Sequence, residues 1–190
     1  VGSPVAQSAV IDWNKQSYFA GNTGDDTYYN LSFPNWNAQT SVTMYAEFVW
    51  QGGATPQQIL DWGGNSGFRI RLDSNDNLQL LNTGGTNILS SSTSPVLNSF
   101  NRVAVKGDSN GLKIFFNGTE VASNTNALNV SQTATEFYIG RFSSVAGEYF
   151  KGVIPEAKVW TTALTAAQLE SLTAGTTNPE DYTSGALAHW

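Results

Sequence analysis

Apolar and polar residues alternate with a period of two along most of this chain. From Ser41 to Gln51 (SVTMYAEFVWQ), Val42, Met44, Ala46, Phe48 and Trp50 share one face and Thr43, Tyr45, Glu47 and Val49 the other. That is the pattern of a strand with one apolar side and one mixed, aromatic side. The segment FRIRL sets Phe68, Ile70 and Leu72 against Arg69 and Arg71, and the turn Asp73 to Asn77 (DSNDN) returns the chain into Leu78–Leu81 as a hairpin. A second hairpin joins Phe100–Lys106 to Leu112–Phe116 through GDSNG, and the tight-turn pair Asn117-Gly118 leads into Thr119–Ala122. Further strands are predicted at Val5–Trp13, Ser17–Ala20, Tyr28–Phe33, Gln58–Trp62, Glu136–Arg141, Tyr149–Trp160 and Gly185–His189. Trp13, Trp50 and Trp160 fall on apolar alternation and are expected in the core.

One segment breaks the pattern. In Leu164–Leu172 (LTAAQLESL), Thr165 and Gln168 form a capping-box pair, Leu169 and Leu172 make a one-sided apolar contact, and Gly175 is a C-terminal stop. Short strands punctuated by Gly, Asn, Asp and Ser, with one short helix near the C-terminus, predict an all-β, two-sheet antiparallel sandwich. No linker or fixed-period repeat divides the chain, so residues 1–190 are expected to form one domain.

Composition narrows the chemistry. The absence of cysteine excludes disulfides, thiolate nucleophiles and Cys-ligated metals. The lone histidine, His189, stands at the C-terminal end, where fraying is expected, so neither a multi-histidine metal site nor a serine triad is supported. A net charge of −6 argues against nucleic acid and anionic membrane as partners. Only 13% of residues are charged, so hydroxyls, amides and glycines carry the surface, as in secreted or virion-borne β-proteins that touch carbohydrate. No apolar run reaches the ~18 residues of a membrane span, and VGSPVAQSAV lacks the basic and apolar regions of a secretory signal.

Four segments carry a family resemblance: DDTYYNLSF with TSVTMYAEFVW, FNRVAVKGDSNGLKIFFNGTEVA, FYIGRF, and FKGVIPEAKVWTTALTAAQLESL. Together they resemble the laminin G-like branch of the concanavalin A-like lectin/glucanase superfamily, over about Ser17 to Leu172. The resemblance implies a concanavalin A-like jelly roll. It leaves function open, because that superfamily holds lectins, adhesive modules, β-glucanases and polysaccharide lyases.

Catalysis is disfavoured by the acids available. A retaining glycosidase needs two carboxylates about 5–5.5 Å apart, an inverting one roughly 6.5–9.5 Å. The E-x-D-x-x-E strand of the related glucanases is absent, Glu47 is isolated in sequence, Glu156 occupies a position more often structural in the family, and the remaining paired acids lie in turns. The Tyr, His and Arg strands of jelly-roll alginate lyases have no counterpart beyond YFKG at Tyr149 to Gly152.

The resemblance implies a calcium ligand at Asp61, just before a Gly-rich turn, with Asn129 ahead of FYIGR as companion and Asp26 as a second candidate. Oxygen ligands suit calcium; the competing reading of Asp61 is an aspartate capping its own turn. Asp73 to Asn77 has a calcium loop's oxygen density without its terminal Glu, and reads as a hairpin turn. Sugar recognition calls for aromatic faces framed by polar loop residues. Trp62 beside Asp61, Tyr45 on its mixed strand face, Trp36, Arg141 and Tyr149 are the candidates.

The expectation is a non-catalytic, calcium-assisted carbohydrate-binding or adhesion module of a larger extracellular, cell-surface or virion protein. Its partners would be a glycan or cell-surface polysaccharide and other domains of the parent assembly. One alternative is a structural domain of virion-decoration or tail-fibre type that binds protein. Another is a weak polysaccharide hydrolase or lyase.

Overall fold

A computed structural model describes residues 18–20, 29–32, 38–54, 56–63, 67–82, 87–129, 135–142 and 148–189. The strand predicted at Val5–Trp13, the core reading of Trp13 and the candidates Asp26 and Trp36 lie outside them. Among the described residues the strands are β1 (Tyr18–Ala20), β2 (Tyr29–Ser32), β3 (Val42–Trp50), β4 (Gln57–Trp62), β5 (Phe68–Leu72), β6 (Leu78–Asn82), β7 (Asn87–Ser90), β8 (Phe100–Asp108), β9 (Gly111–Phe116), β10 (Thr119–Asn124), β11 (Glu136–Ile139), β12 (Lys151–Trp160) and β13 (Ala186–His189). Helix α1 covers Ala166–Ala174.

They form two antiparallel sheets, one ordered β1-β12-β3-β8-β9-β10 with β13 also on β12, the other β2-β11-β4-β5-β6-β7. This is the predicted sandwich. The apolar faces of β3 (Val42, Met44, Ala46, Phe48, Trp50) and of β5 (Phe68, Ile70, Leu72) meet in one core between the sheets. β7 was not anticipated: its four residues are too few to show a period against the surrounding Asn, Ser and Thr.

The outer face of the first sheet carries a second core. Tyr45, Ala104, Phe115 and Trp160 pack there under Leu164, Leu169 and Leu172. Helix α1 has the predicted capping box between Thr165 and Gln168 and ends at Gly175 in the left-handed region. It covers the mixed face of β3 because that face is apolar just where Tyr45, Ala104 and Phe115 line up across β3, β8 and β9.

Two local features hold the register. The β9–β10 turn has Asn117 and Gly118 at positive φ, as Asn-Gly predicts. At Gly152, φ is +145° and a Cβ would lie 2.0 Å from the Val49 carbonyl oxygen, so only glycine lets β12 approach β3 there. Strand β12 is long enough to take two short partners on its other edge, β1 at Lys151–Val153 and β13 at Lys158–Trp160.

Candidate functional site

Cross-strand partners share a sheet face, so the register of the second sheet places its outward side chains in rows. One row runs Tyr138, Asp61, Arg69, Leu81, Ile88 across β11, β4, β5, β6 and β7. The next runs Gln58, Arg71, Gln79, Ser90. Asp61 and Gln58 are fully buried, and Arg69, Gln79 and Tyr138 nearly so. A polar layer thus lies on the face turned away from the core.

The chain after β11 helps to build this layer. Once β11 ends at Ile139, Gly140 N–H donates to the Ile59 carbonyl at 2.9 Å and Gln58 N–H to the Glu148 carbonyl at 3.3 Å, continuing the edge of β4. Arg69 stacks over the Phe142 ring at 4.4 Å. Burial pushes the Arg69 guanidinium down from its ordinary range, and the Asp61 carboxylate opposes this. Asp61 is therefore the charge partner of a buried arginine.

A chain of hydrogen bonds and one ion pair runs along the second row. Gln58 Nε2 donates to Glu148 Oε2, which also lies 3.7 Å from Arg71 Nη1. Arg71 Nε donates to Gln79 Oε1 at 2.7 Å, and Gln79 Nε2 donates to Ser90 Oγ at 2.9 Å. The Gln58 Oε1 acceptor is buried, with no donor among the described residues. Arg71 and Glu148 keep about a fifth of their side-chain surface open, and Ser90 is exposed. Arg141 stands over the ring of Tyr149, the residue after Glu148, at 5.7 Å and donates through Nε to the Phe142 carbonyl. Arg71, Glu148 and Ser90 make a polar ledge, and Tyr149, next to Glu148 in the chain, brings an aromatic ring to its margin.

Of the predicted site residues, the structure brings Arg141 and Tyr149 together and sets Asp61 in the layer beneath the ledge. Trp62 is displaced from the prediction. It is adjacent to Asp61 in sequence, but consecutive strand residues point to opposite faces, and Trp62 is wholly buried in the core. Tyr45 is likewise buried, under α1, where burial and the neighbouring Glu156 and Glu47 push its hydroxyl well above the usual tyrosine range. Neither ring offers a face to a sugar. Asn129 is half-buried, next to Leu128, whose N–H donates to the Asp108 carbonyl at 2.9 Å.

At Asp61 the Arg69 guanidinium, opposite it across β4 and β5, competes with any cation for that carboxylate. Among the described residues there is no group of three or more Asp, Glu or His able to hold a metal ion. Asp73 spends its Oδ1 on the N–H groups of Asn75 and Asn77, within its own turn.

The residues missed from sequence are Gln58, Arg71, Gln79 and Glu148. The alternation in FRIRL already put Arg69 and Arg71 on one face; what it could not show was that Glu148 would meet them. Glu47 is not isolated either. It faces Glu156 across β3 and β12, on the helix side of the first sheet. Each is committed, Glu47 to Arg102 Nε at 2.6 Å and Glu156 to His189 Nε2 at 2.7 Å.

Among the described residues no helix is long and apolar enough to cross a membrane. A search of curated proteins found no significant match. Among solved structures, the chain is similar to a native heptameric SAP-like pentraxin from Limulus polyphemus, with a TM-score of 0.70 and 15% identity over 91% of this chain and 86% of that one. It is also similar to the IT-sialidase CBM40 domain of Ruminococcus gnavus bound to α2,3-sialyllactose, with a TM-score of 0.62 and 16% identity over 77% and 98%. A third is domain 4 of an extracellular GH43 arabinanase from Geobacillus stearothermophilus in complex with arabinotriose, with a TM-score of 0.59 and 20% identity over 76% and 72%. These likenesses establish the fold. A laminin G-type family model described as the concanavalin A-like lectin/glucanases superfamily matches residues 22–170, and the chain belongs to that superfamily.

Proposed function

We propose that this chain is a non-catalytic glycan-binding module, with its sugar site on the ledge formed by Arg71, Glu148, Ser90, Arg141 and Tyr149. The observation that carries the reading is the polar chain Gln58–Glu148–Arg71–Gln79–Ser90, three hydrogen bonds and one ion pair that reach from a buried layer to an exposed serine. Such a chain fixes donors and acceptors in advance, and preorganised polar groups beside an aromatic ring suit a sugar's hydroxyls and apolar face. Sugar-bound domains of the same fold support it. An extracellular setting fits this reading, as in the extracellular arabinanase. Calcium does not enter it through Asp61.

Non-catalysis rests on the carboxylates: the cross-strand pair Glu47 and Glu156 lies on the other sheet, each bound to a cationic partner. Binding to a glycan array, lost in Arg71→Ala with the fold intact by circular dichroism, tests the site; absence of binding across neutral and acidic glycans would refute it. Release of reducing ends from any bound polysaccharide would refute non-catalysis.

An assembly role is a second reading. Val96, Leu97 and Phe100 are 57%, 51% and 61% exposed, an apolar cluster before and at the start of β8. A stable oligomer by light scattering, without sugar affinity, would select it.

A further inference from the structure

We infer that the ledge selects neutral sugars over acidic ones, an inference that rests on the glycan-binding reading. The carrying observation is how the charges on this face are matched. Arg69 lies in the field of Asp61 and is stacked on Phe142. Arg71 faces Glu148 at 3.7 Å. Both arginines that sheet alternation aims outward from β5 therefore already have a carboxylate partner. A sugar carboxylate placed on Arg71 would sit beside Glu148, and two carboxylates in one partly desolvated site repel each other.

The unfilled valences point the same way. Gln58 Oε1 is a buried acceptor with no donor among the described residues. Glu148 takes Gln58 and Arg71 through Oε2, with no described protein donor on Oε1. A guest that donates hydrogen bonds satisfies acceptors, and an ionised carboxylate has none to donate. A neutral sugar does both jobs: one hydroxyl donates to Glu148, directly or through a water held by Gln58, and its neighbour accepts from the guanidinium of Arg71, whose Nε is spent on Gln79 and whose Nη1 faces Glu148. Arg141 is the third cation here, placed at the margin over Tyr149. The chain's net charge of −6 adds a general bias against anions.

The test compares a panel of lactose, arabinotriose, mannotriose and cellotetraose with 3′-sialyllactose, trigalacturonate and a glucuronate-bearing xylotriose, by isothermal titration. Binding of at least one neutral probe, ten-fold or more tighter than every acidic one, is the expected result. Glu148→Gln keeps the acceptor to Gln58 and removes the charge. It should weaken the neutral probe about ten-fold and strengthen the acidic probes, because it frees Arg71. An acidic probe preferred by the wild type, above all one lost in Arg141→Gln, would overturn the neutral-sugar inference and leave glycan binding standing. Failure of every probe to bind a folded protein would overturn the glycan-binding reading and this inference with it.

Discussion

His189 Nε2 lies 2.7 Å from Glu156 Oε1, and on the other side of the ring Nδ1 lies 2.8 Å from Glu180 Oε1. A ring nitrogen can donate to each carboxylate only when both are protonated, so the geometry is that of an imidazolium. The hydrogen bond to Glu156 raises the His189 pKa above its ordinary value, against burial and the nearby Lys158, with Glu180 assisting. The residue expected to fray instead clasps β13 to β12.

A raised histidine pKa has a defined sign. The stabilisation is full below the unfolded value of 6.5 and is lost as pH rises through the higher folded value. His189→Gln should therefore cost about 1 kcal/mol at mildly acidic pH and much less in alkali. Thermal melts of both proteins between about pH 5.5 and 9 check this; a difference independent of pH would refute the clasp.

Asp61→Asn should destabilise the protein by about 3–5 kcal/mol, the usual cost of leaving one member of a buried ion pair alone. The loss should be equal in calcium and in chelator, because the partner is Arg69. A destabilisation seen only in calcium would make Asp61 a metal ligand after all.

Tyr45→Phe should cost about 1 kcal/mol, since the buried hydroxyl lies under α1 in the field of Glu156, Glu47 and Arg102. Sugar affinity should not change. In the native wild type Tyr45 should stay a phenol beyond the usual tyrosine range of about 10, so the alkaline tyrosinate absorbance of wild type and variant should diverge only on unfolding.

Gly152→Ala tests the closest backbone approach in the first sheet. A methyl group 2.0 Å from the Val49 oxygen must push β12 off β3, and φ of +145° is foreign to alanine. A loss of more than about 2 kcal/mol in denaturant melts, or failure to fold, is expected. An unchanged midpoint would contradict the β3–β12 register.

Alternation in SVTMYAEFVWQ and FRIRL was enough to assign the strands and their faces, because one sandwich face is always dry and the period of two is dictated by the pleat. The helix was equally legible from Thr165, Gln168 and Gly175, whose capping roles are local. Asp61 and Trp62 show where sequence neighbourhood misled: adjacency suggested one site, while the same alternation sends them to opposite sides of β4.

What covers each outward face was decided by contacts between distant parts of the chain. Glu148 reaches Gln58 across 90 residues, and His189 reaches Glu156 across 33. No local signal encodes such pairings. They arise because a buried charge or amide must find a partner, and only the packed sheets determine which partner comes within hydrogen-bond distance. The strands and their apolar sides are thus properties of the sequence read a few residues at a time. The ledge, the matched arginines and the histidine clasp belong to the assembled sandwich.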